Sequence, residues 1–154
     1  MSALHFDESL VRIFNENALD TYSVEEELAG ALCAGGWVKE TYANALHERE
    51  EAFPTALDAQ GINVAIPHCE TEHVNQGAVA VGVLKHPVSW RRMDDSSQTC
   101  DVSLVVMLAL VEAHAHLEML QKVIAIVQDQ EFVGTVIAQD EPQEVYRLLS
   151  DRLL

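Results

Sequence analysis

The chain has 154 residues, of which 49% are hydrophobic and 22% are charged, as is typical of a globular protein with a sizeable core. Its formal net charge of −16 at pH 7 argues against nucleic acid or an anionic membrane surface as a partner, because both attract basic surfaces. No linker, repeat or low-complexity segment interrupts the sequence. We therefore expect one domain spanning residues 1–154.

The cysteines and the N-terminus indicate a cytoplasmic protein. The 3 cysteines are odd in number and show no C-x-x-C spacing, which predicts a reducing compartment and no disulfide framework. Residues 1–7 lack the basic and apolar regions of a secretory signal. The longest apolar run, Val102–Val111, is about half as long as the roughly 20 residues that a membrane-spanning helix needs.

The first elements are a strand and a capped helix. A short apolar run predicts a strand at Leu10–Phe14. Ser23 and Glu26 have the spacing of a capping box, which predicts the start of a helix, and a Gly-Gly pair at 35–36 ends it.

A second helix is predicted from about Glu40 to Phe53, where Pro54 stops it. Tyr42, Leu46 and Phe53 form its apolar stripe, and Arg49 falls on the same stripe. An arginine in that position either extends to water or an ion pair, or meets an anion such as phosphate, whose oxygens suit its planar fork of donors. This stretch alone leaves both interpretations open.

The second half of the chain supplies the main strands. Apolar runs predict strands at Ile62–Ile66 and Ala78–Leu84, a brief extended piece at Val88–Trp90, and a polar surface loop over Arg91–Thr99. Val102–Val111 is almost continuously apolar, which is typical of a central strand that is covered on both faces.

Three helical segments follow. The first carries a buried face, and the others span Glu131–Ala138 and the segment from Pro142 to about Leu153. The buried face of the first is predicted at Leu117, Leu120, Ile124 and Val127. Strands interleaved with helices predict an α/β fold, a three-layer sandwich with a mixed central β-sheet flanked by helices.

A histidine stands at the tip of the strand that begins after Gly61. Pro67 ends strand pairing there because it has no N–H, so His68 should lie at an edge rather than inside a ladder. Imidazole is a neutral nucleophile near pH 7 and can accept a group on one nitrogen while a hydrogen bond holds the other. An ordinary turn histidine fits the isolated motif equally well.

Two further histidines, His114 and His116, precede the next helix. They are two residues apart, so they share a face in an extended segment but point apart in a helix. If the helix begins around them, only one can point at His68, and the helix N-terminus favours a neutral imidazole and an anion. Two exposed loop histidines are the alternative.

Three stretches, in this order, resemble the IIA component of the sugar phosphotransferase system of the mannitol/fructose type. The resemblance covers about the whole chain. The stretches are Arg49-Glu50-Glu51-Ala52-Phe53-Pro54-Thr55, Ile66-Pro67-His68-Cys69-Glu70 and His116-Leu117-x-x-Leu120. Phe-Pro-Thr and Cys-Glu are most similar to the galactitol-specific branch. His116 matches the second active-site histidine of mannitol- and fructose-type members.

The resemblance implies a phosphocarrier. His68 would take a phosphoryl group from the phosphohistidine of HPr onto Nε2 and pass it to a cysteine of a cognate IIB protein, with the membrane IIC component involved indirectly. Arg49 would bind the phosphoryl oxygens and His116 would support them. The resemblance implies galactitol or a related sugar alcohol as the sugar and no cofactor. The acidic charge suits HPr, whose docking face is basic.

Three alternatives stay open. A regulatory IIA-like protein would carry the same chemistry at His68 but control other proteins. A hydrolase could use Cys69 with His73 or His114 as its base, since His68 points to the other side of an extended strand. A metal site could combine these residues with His116, although their spacing matches no common zinc pattern. The sequence does not decide whether His114 or His73 contributes.

Overall fold

A mixed β-sheet lies between two layers of helices in the computed structural model, which describes residues 4–154. The strands are β1 (Val11–Phe14), β2 (Ala56–Leu57), β3 (Asn63–Ala65), β4 (Ala78–Arg91) and β5 (Thr99–Ala109). The helices are α1 (Thr21–Ala34), α2 (Tyr42–Ala52), α3 (Ala113–Gln128), α4 (Gln130–Ile137) and α5 (Pro142–Leu153). Short 3-10 turns occur at Glu8–Leu10 and Thr71–His73.

The strand order is β1-β4-β5-β3-β2. β4 pairs with β1 in parallel and with β5 in antiparallel orientation, while β3 pairs with β5 in parallel and with β2 in antiparallel orientation. Residues of α1 and α2 pack in one apolar cluster, and residues of α3, α4 and α5 pack in another on the opposite face of the sheet. The predicted three-layer α/β sandwich with a mixed sheet is confirmed.

The central strand β5 explains why its sequence is continuously apolar. Val105 and Met107 belong to the cluster under α1 and α2, whereas Val106 and Leu108 belong to the cluster under α3 to α5. Successive side chains of a strand point to opposite faces, so both sets are buried. The prediction of a central strand covered on both faces is confirmed.

The predicted N-cap of α1, Ser23, is wrong by three residues. The N-cap is Asp20, whose carboxylate accepts a hydrogen bond from the backbone N–H of Ser23 at 2.8 Å, so Ser23 lies inside the first turn. Both residue types cap helices well. Asp20 has the extended backbone of an N-cap, and the helical conformation begins at Thr21.

The predicted buried face of α3 is also partly wrong. Met119, Val123 and Ile126 are buried, whereas Leu117 is 54% exposed and Ile124 is exposed as well. Apolar residues surround much of this helix, so two stripes one residue apart fit the sequence equally well. The sheet beneath the helix selects between them.

The observed strand boundaries differ most from the predicted ones near Pro87. β4 is one strand from Ala78 to Arg91 rather than two pieces, because its pairing with β5 continues beyond the proline as far as Arg91 and Thr99. A register shift between Val83 and Val88 accommodates Pro87, which has no N–H to donate. The loop between β4 and β5 is therefore shorter than predicted. The two-residue strand β2 was not predicted.

Phe53 leaves the predicted stripe of α2. It is the C-cap of the helix and its side chain is exposed, whereas Tyr42 and Leu46 are buried as predicted.

Within residues 4–154, no helix has the length and apolar character required to cross a bilayer.

Candidate active site

Three elements bring the three predicted site residues together. His68 follows β3 and forms a single parallel bridge with Leu108 of β5. His116 lies in the first turn of α3, and the ring centroids of His68 and His116 are 5.0 Å apart. Arg49 lies in the last turn of α2 and is close enough for its charge to lower the pKa of both histidines.

The hydrogen bonding of His68 determines which ring nitrogen can react. Nδ1 lies 2.9 Å from the carbonyl oxygen of Ile66. A carbonyl only accepts, so Nδ1 carries the proton and Nε2 keeps a free lone pair. Burial lowers the pKa of His68, and the charge of Arg49 lowers it further against the opposing Ile66 hydrogen bond. The ring is therefore a neutral nucleophile at pH 7.

His116 contributes an unpaired nitrogen. Its Nε2 is buried and has no hydrogen-bond partner among the described residues. Burial lowers the pKa of His116, and the neighbouring His68 and Arg49 lower it further. No side chain caps the start of α3, so N–H groups of its first turn also lack a side-chain acceptor. A polar group that entered here would satisfy donors at no cost to existing contacts.

Arg49 is held loosely. Its guanidinium is 3.6 Å from a carboxylate oxygen of Glu70 and lies over the ring of Phe53, 4.5 Å from the centroid. The side chain of Arg49 is 39% exposed, and a long ion pair at such a site contributes at most about 1 kcal/mol. The guanidinium can therefore exchange Glu70 for another anion at little cost.

Contacts behind the site hold α2 in place. The carboxylate of Glu50, next to Arg49, accepts hydrogen bonds from the N–H and hydroxyl of Thr55, both at 2.7 Å, and from Trp90 Nε1 at 3.3 Å. At the other end of α2, the hydroxyl of Tyr42 donates to the carbonyl of Leu108 at 2.8 Å. These contacts fix the helix that carries Arg49 against the sheet that carries His68.

The supporting contacts of Glu70, Glu50 and Tyr42 were not predicted from the sequence. Glu70 and Glu50 lie within the motifs, and Tyr42 lies on the apolar stripe of α2. The charge of Glu70, two residues from His68, was a usable signal. Glu50 and Tyr42 offered none, because Trp90 and Leu108 are distant in the sequence.

The other histidines make different contacts. His73 Nδ1 is 2.8 Å from the hydroxyl of Thr41, and His114 is 76% exposed with Nε2 3.2 Å from Glu118. The expectation that a helix beginning here lets only one of the pair face His68 is confirmed, since α3 begins at Ala113 and His116 is the one that approaches.

Cys69 is a poor nucleophile in this environment. Its side chain is buried in the cluster under α1 and α2, and burial raises its pKa to about 12. The thiol is therefore protonated at neutral pH, which argues against the hydrolase alternative. In the part of the chain that the structure describes, no three His, Cys, Asp or Glu side chains are grouped closely enough to hold a metal ion.

We expect Glu50 to make the protein more stable in mild acid than at neutral pH. Burial raises the pKa of its carboxyl from 4.5 to about 7. Between these values the folded protein holds a proton that the unfolded chain releases, so this stabilisation is present below about pH 4.5 and lost as the pH rises to about 7. The change is on the order of 3 kcal/mol.

Urea unfolding of the parent and of Glu50→Gln, at several pH values between these limits, measures this dependence. The variant should show a flatter dependence, although not a flat one, because burial also raises the pKa of Glu25 to about 7. An identical dependence in the two proteins would contradict the assignment to Glu50.

The architecture is that of phosphotransferase-system IIA domains. The crystal structure of IIA mannitol from Escherichia coli superimposes with a TM-score of 0.75 over 95% of this chain and 99% of that one, at 21% identity. IIAMTL in its complex with phosphorylated IIBMTL, also from Escherichia coli, gives a TM-score of 0.76 over 97% and 99% at 19% identity. These likenesses establish the fold.

Sequence comparison identifies the family. The model described as "Phosphoenolpyruvate-dependent sugar phosphotransferase system, EIIA 2" matches residues 4–152. The galactitol-specific EIIA component of Escherichia coli K12 is 30% identical over 125 residues, which cover 81% of this chain and 83% of that protein. The transcriptional regulator ManR of Bacillus subtilis is 35% identical over 95 residues, 62% of this chain and 13% of the regulator. The chain belongs to the EIIA 2 family, which confirms the resemblance.

Proposed function

We propose that this protein is a single-domain phosphocarrier in which Nε2 of His68 accepts a phosphoryl group from phospho-HPr and passes it to a cysteine of a cognate IIB protein. The observation that carries the proposal is the contact between Nδ1 and the Ile66 carbonyl, which leaves Nε2 as the nitrogen with a free lone pair. In each transfer a new bond to phosphorus forms as the bond to the donor breaks on the opposite side.

Arg49 would bind the phosphoryl oxygens. Its planar fork suits two oxygens of a phosphoryl group, and its present contact with Glu70 is long and easily replaced. The exchange would leave the guanidinium paired before and after transfer, and the carboxylate of Glu70, whose side chain is 48% exposed, would be solvated by water. Positioning and charge stabilisation are most of what phosphoryl transfer requires.

His116 would donate a hydrogen bond from Nε2 to the phosphoryl group on His68. We expect His116→Ala to accept the group about tenfold more slowly, the loss of one hydrogen bond to a charged group. Initial rates of phosphorylation measure this. His114→Ala is the matched control, because His114 lies in the same turn but contacts Glu118. Equal slowing in both variants would contradict the assigned role.

The relatives support the choice of partners. One structural neighbour is a IIA protein in complex with phosphorylated IIB, and the relative at 30% identity is named galactitol-specific. The acceptor would be a IIB protein for galactitol or a related sugar alcohol, which in turn supplies the membrane IIC component. The net charge of −16 would speed encounter with a basic donor face.

Incubation with phosphoenolpyruvate, enzyme I and HPr, followed by intact mass measurement, tests the proposal. We expect the gain of one acid-labile phosphoryl group, and phosphorus NMR should place it on Nε2. Addition of a galactitol-type IIB should then move the group to the IIB cysteine. No phosphorylation of the folded protein would overturn the proposal.

A regulatory role is the second candidate, favoured by the match to ManR, a transcriptional regulator. In that case His68 would still be phosphorylated, but the group would stay on the protein and alter its binding to another protein. Fast transfer to a IIB protein argues for transport, whereas a phosphoryl group that no IIB removes argues for regulation.

A further inference from the structure

A cavity of about 460 Å³ lies between α1, α2 and the end of β4. His68, His116 and Arg49 do not line it. Its lining includes the carboxylate residues Glu25, Glu50 and Glu51 together with the aromatic residues Tyr22 and Trp90. The volume is within the range of pockets that bind small molecules, roughly 300–1,000 Å³.

Glu25 is the residue in this cavity that points to a ligand. It is only 2% exposed. One carboxylate oxygen is 2.6 Å from Nδ1 of His47, and the other is buried without a hydrogen-bond partner among residues 4–154. Leaving a buried polar atom unpaired costs about 1–3 kcal/mol. A ligand that donated a hydrogen bond to this oxygen would remove the cost.

The charges around the cavity favour a cation. His47 lies between Glu25 and Glu26, with both ring nitrogens 2.6 Å from carboxylate oxygens, so both nitrogens donate and the ring is positive. Arg91 donates to the backbone carbonyls of Glu50 and Glu51 rather than to their carboxylates. Within the described part of the chain, the carboxylate of Glu50 accepts hydrogen bonds only from uncharged donors.

The cavity lining holds three carboxyl side chains, Glu25, Glu50 and Glu51, and two basic ones, His47 and Arg91. Burial raises the pKa of both Glu25 and Glu50 to about 7, because desolvation disfavours the charged carboxylate. An entering cation would favour the ionised form of both groups.

The chemistry of the lining narrows the cation to an organic one. A metal ion needs several ligating side chains around one point, and no such group occurs among the described residues. The ring of Tyr22 stacks on His47 with centroids 4.1 Å apart and adds an aromatic wall beside the carboxylates. Carboxylates next to aromatic rings suit an alkylammonium, which has three donors on an apolar stem.

We propose that this cavity binds a small organic cation, with a primary ammonium group donating to the unpaired oxygen of Glu25. The site is distinct from the phosphocarrier site. Its test involves no phosphoryl transfer, so the two proposals can fail separately.

Titration of n-pentylammonium chloride into the isotope-labelled protein, followed by backbone amide NMR, tests this site. We expect saturable shifts centred on Glu25, His47 and Trp90. The neutral probe n-pentanol, of nearly equal size, should bind at least about tenfold more weakly, because it lacks the charge. Equal binding of the two probes, or no saturable shifts with pentylammonium, would overturn the proposal.

Two variants sharpen the test. Glu25→Gln keeps the shape but removes the charge and should weaken pentylammonium binding at least about tenfold. Glu26→Gln is the control, because it also removes one carboxylate from α1 that pairs with His47, but Glu26 does not line the cavity. The affinity for pentylammonium should therefore stay within about threefold of that of the parent. Unchanged binding in a folded Glu25→Gln, or equal weakening in both, would overturn the assignment to Glu25. If Glu25→Gln does not fold, the comparison of the two probes on the parent still decides.

Discussion

Replacing His68 by alanine is expected to abolish acceptance of the phosphoryl group from phospho-HPr. Nε2 of His68 is the nucleophile that we propose, and the neighbouring groups do not replace it. His116 supplies a nitrogen on a different element, and the buried thiol of Cys69, with its pKa raised to about 12, is protonated. Intact mass after incubation with phosphoenolpyruvate, enzyme I and HPr should show no added phosphoryl group.

Cys69→Ala is the matched control for this result. It changes the next residue in the chain but leaves the Nδ1 contact of His68 with Ile66 in place, so it should be phosphorylated at close to the parental rate. A thermal unfolding curve of His68→Ala shows whether the variant folds. Phosphorylation of folded His68→Ala would show that another residue accepts the group. Loss of phosphorylation in Cys69→Ala would show that the thiol is needed for phosphorylation.

Arg49→Ala is expected to slow phosphoryl transfer by about a hundredfold or more while leaving the fold nearly intact. Removal of one preorganised group that stabilises charge in a transition state typically has an effect of that size. The stability cost should be below about 1 kcal/mol, because the ion pair with Glu70 is exposed and 3.6 Å long. Rapid-quench rates and urea unfolding measure the two quantities separately.

Two further variants distinguish the fork of Arg49 from its charge. Arg49→Lys keeps the charge but loses the two-pronged geometry, so its rate should lie between those of the parent and Arg49→Ala. Arg147→Ala changes the net charge equally at an exposed site on α5 and should leave the rate unchanged. If Arg49→Ala unfolds the protein, Arg49 is a structural residue. If the folded variant transfers at the parental rate, Arg49 does not bind the phosphoryl oxygens.

The sequence was most informative where a function depends on neighbouring residues. The strand, the proline and His68 are consecutive, and β3 ends before Pro67 as this pattern predicts. The prediction that pairing stops at Pro67 is wrong, because the Pro67 carbonyl accepts from Leu108 N–H and His68 bridges Leu108 of β5. The stripe of α2 made Arg49 a candidate for anion binding, and the start of a helix predicted that only one of His114 and His116 faces His68. The resemblance to the family selected Arg49 and His116. The layers of the fold follow from strands that alternate with amphipathic helices.

The errors arose where two local solutions are nearly equal in energy. Asp20 and Ser23 can both cap a helix, and α3 has two apolar stripes one residue apart. In both cases the rest of the chain selects one solution through contacts that are remote in sequence. The continuation of β4 past Pro87 has the same origin, because pairing with β5 outweighs the local break.

The amino-acid sequence by itself determined the α/β fold, the family, and the identity of His68, Arg49 and His116 as candidate site residues, because each depends on a local pattern or a motif. The tertiary structure alone decided the tautomer of His68, the unpaired nitrogen of His116 and the loose pairing of Arg49 with Glu70. It also decided the burial of Glu25. These properties depend on distances between segments that only folding brings together, and on the loss of water around them.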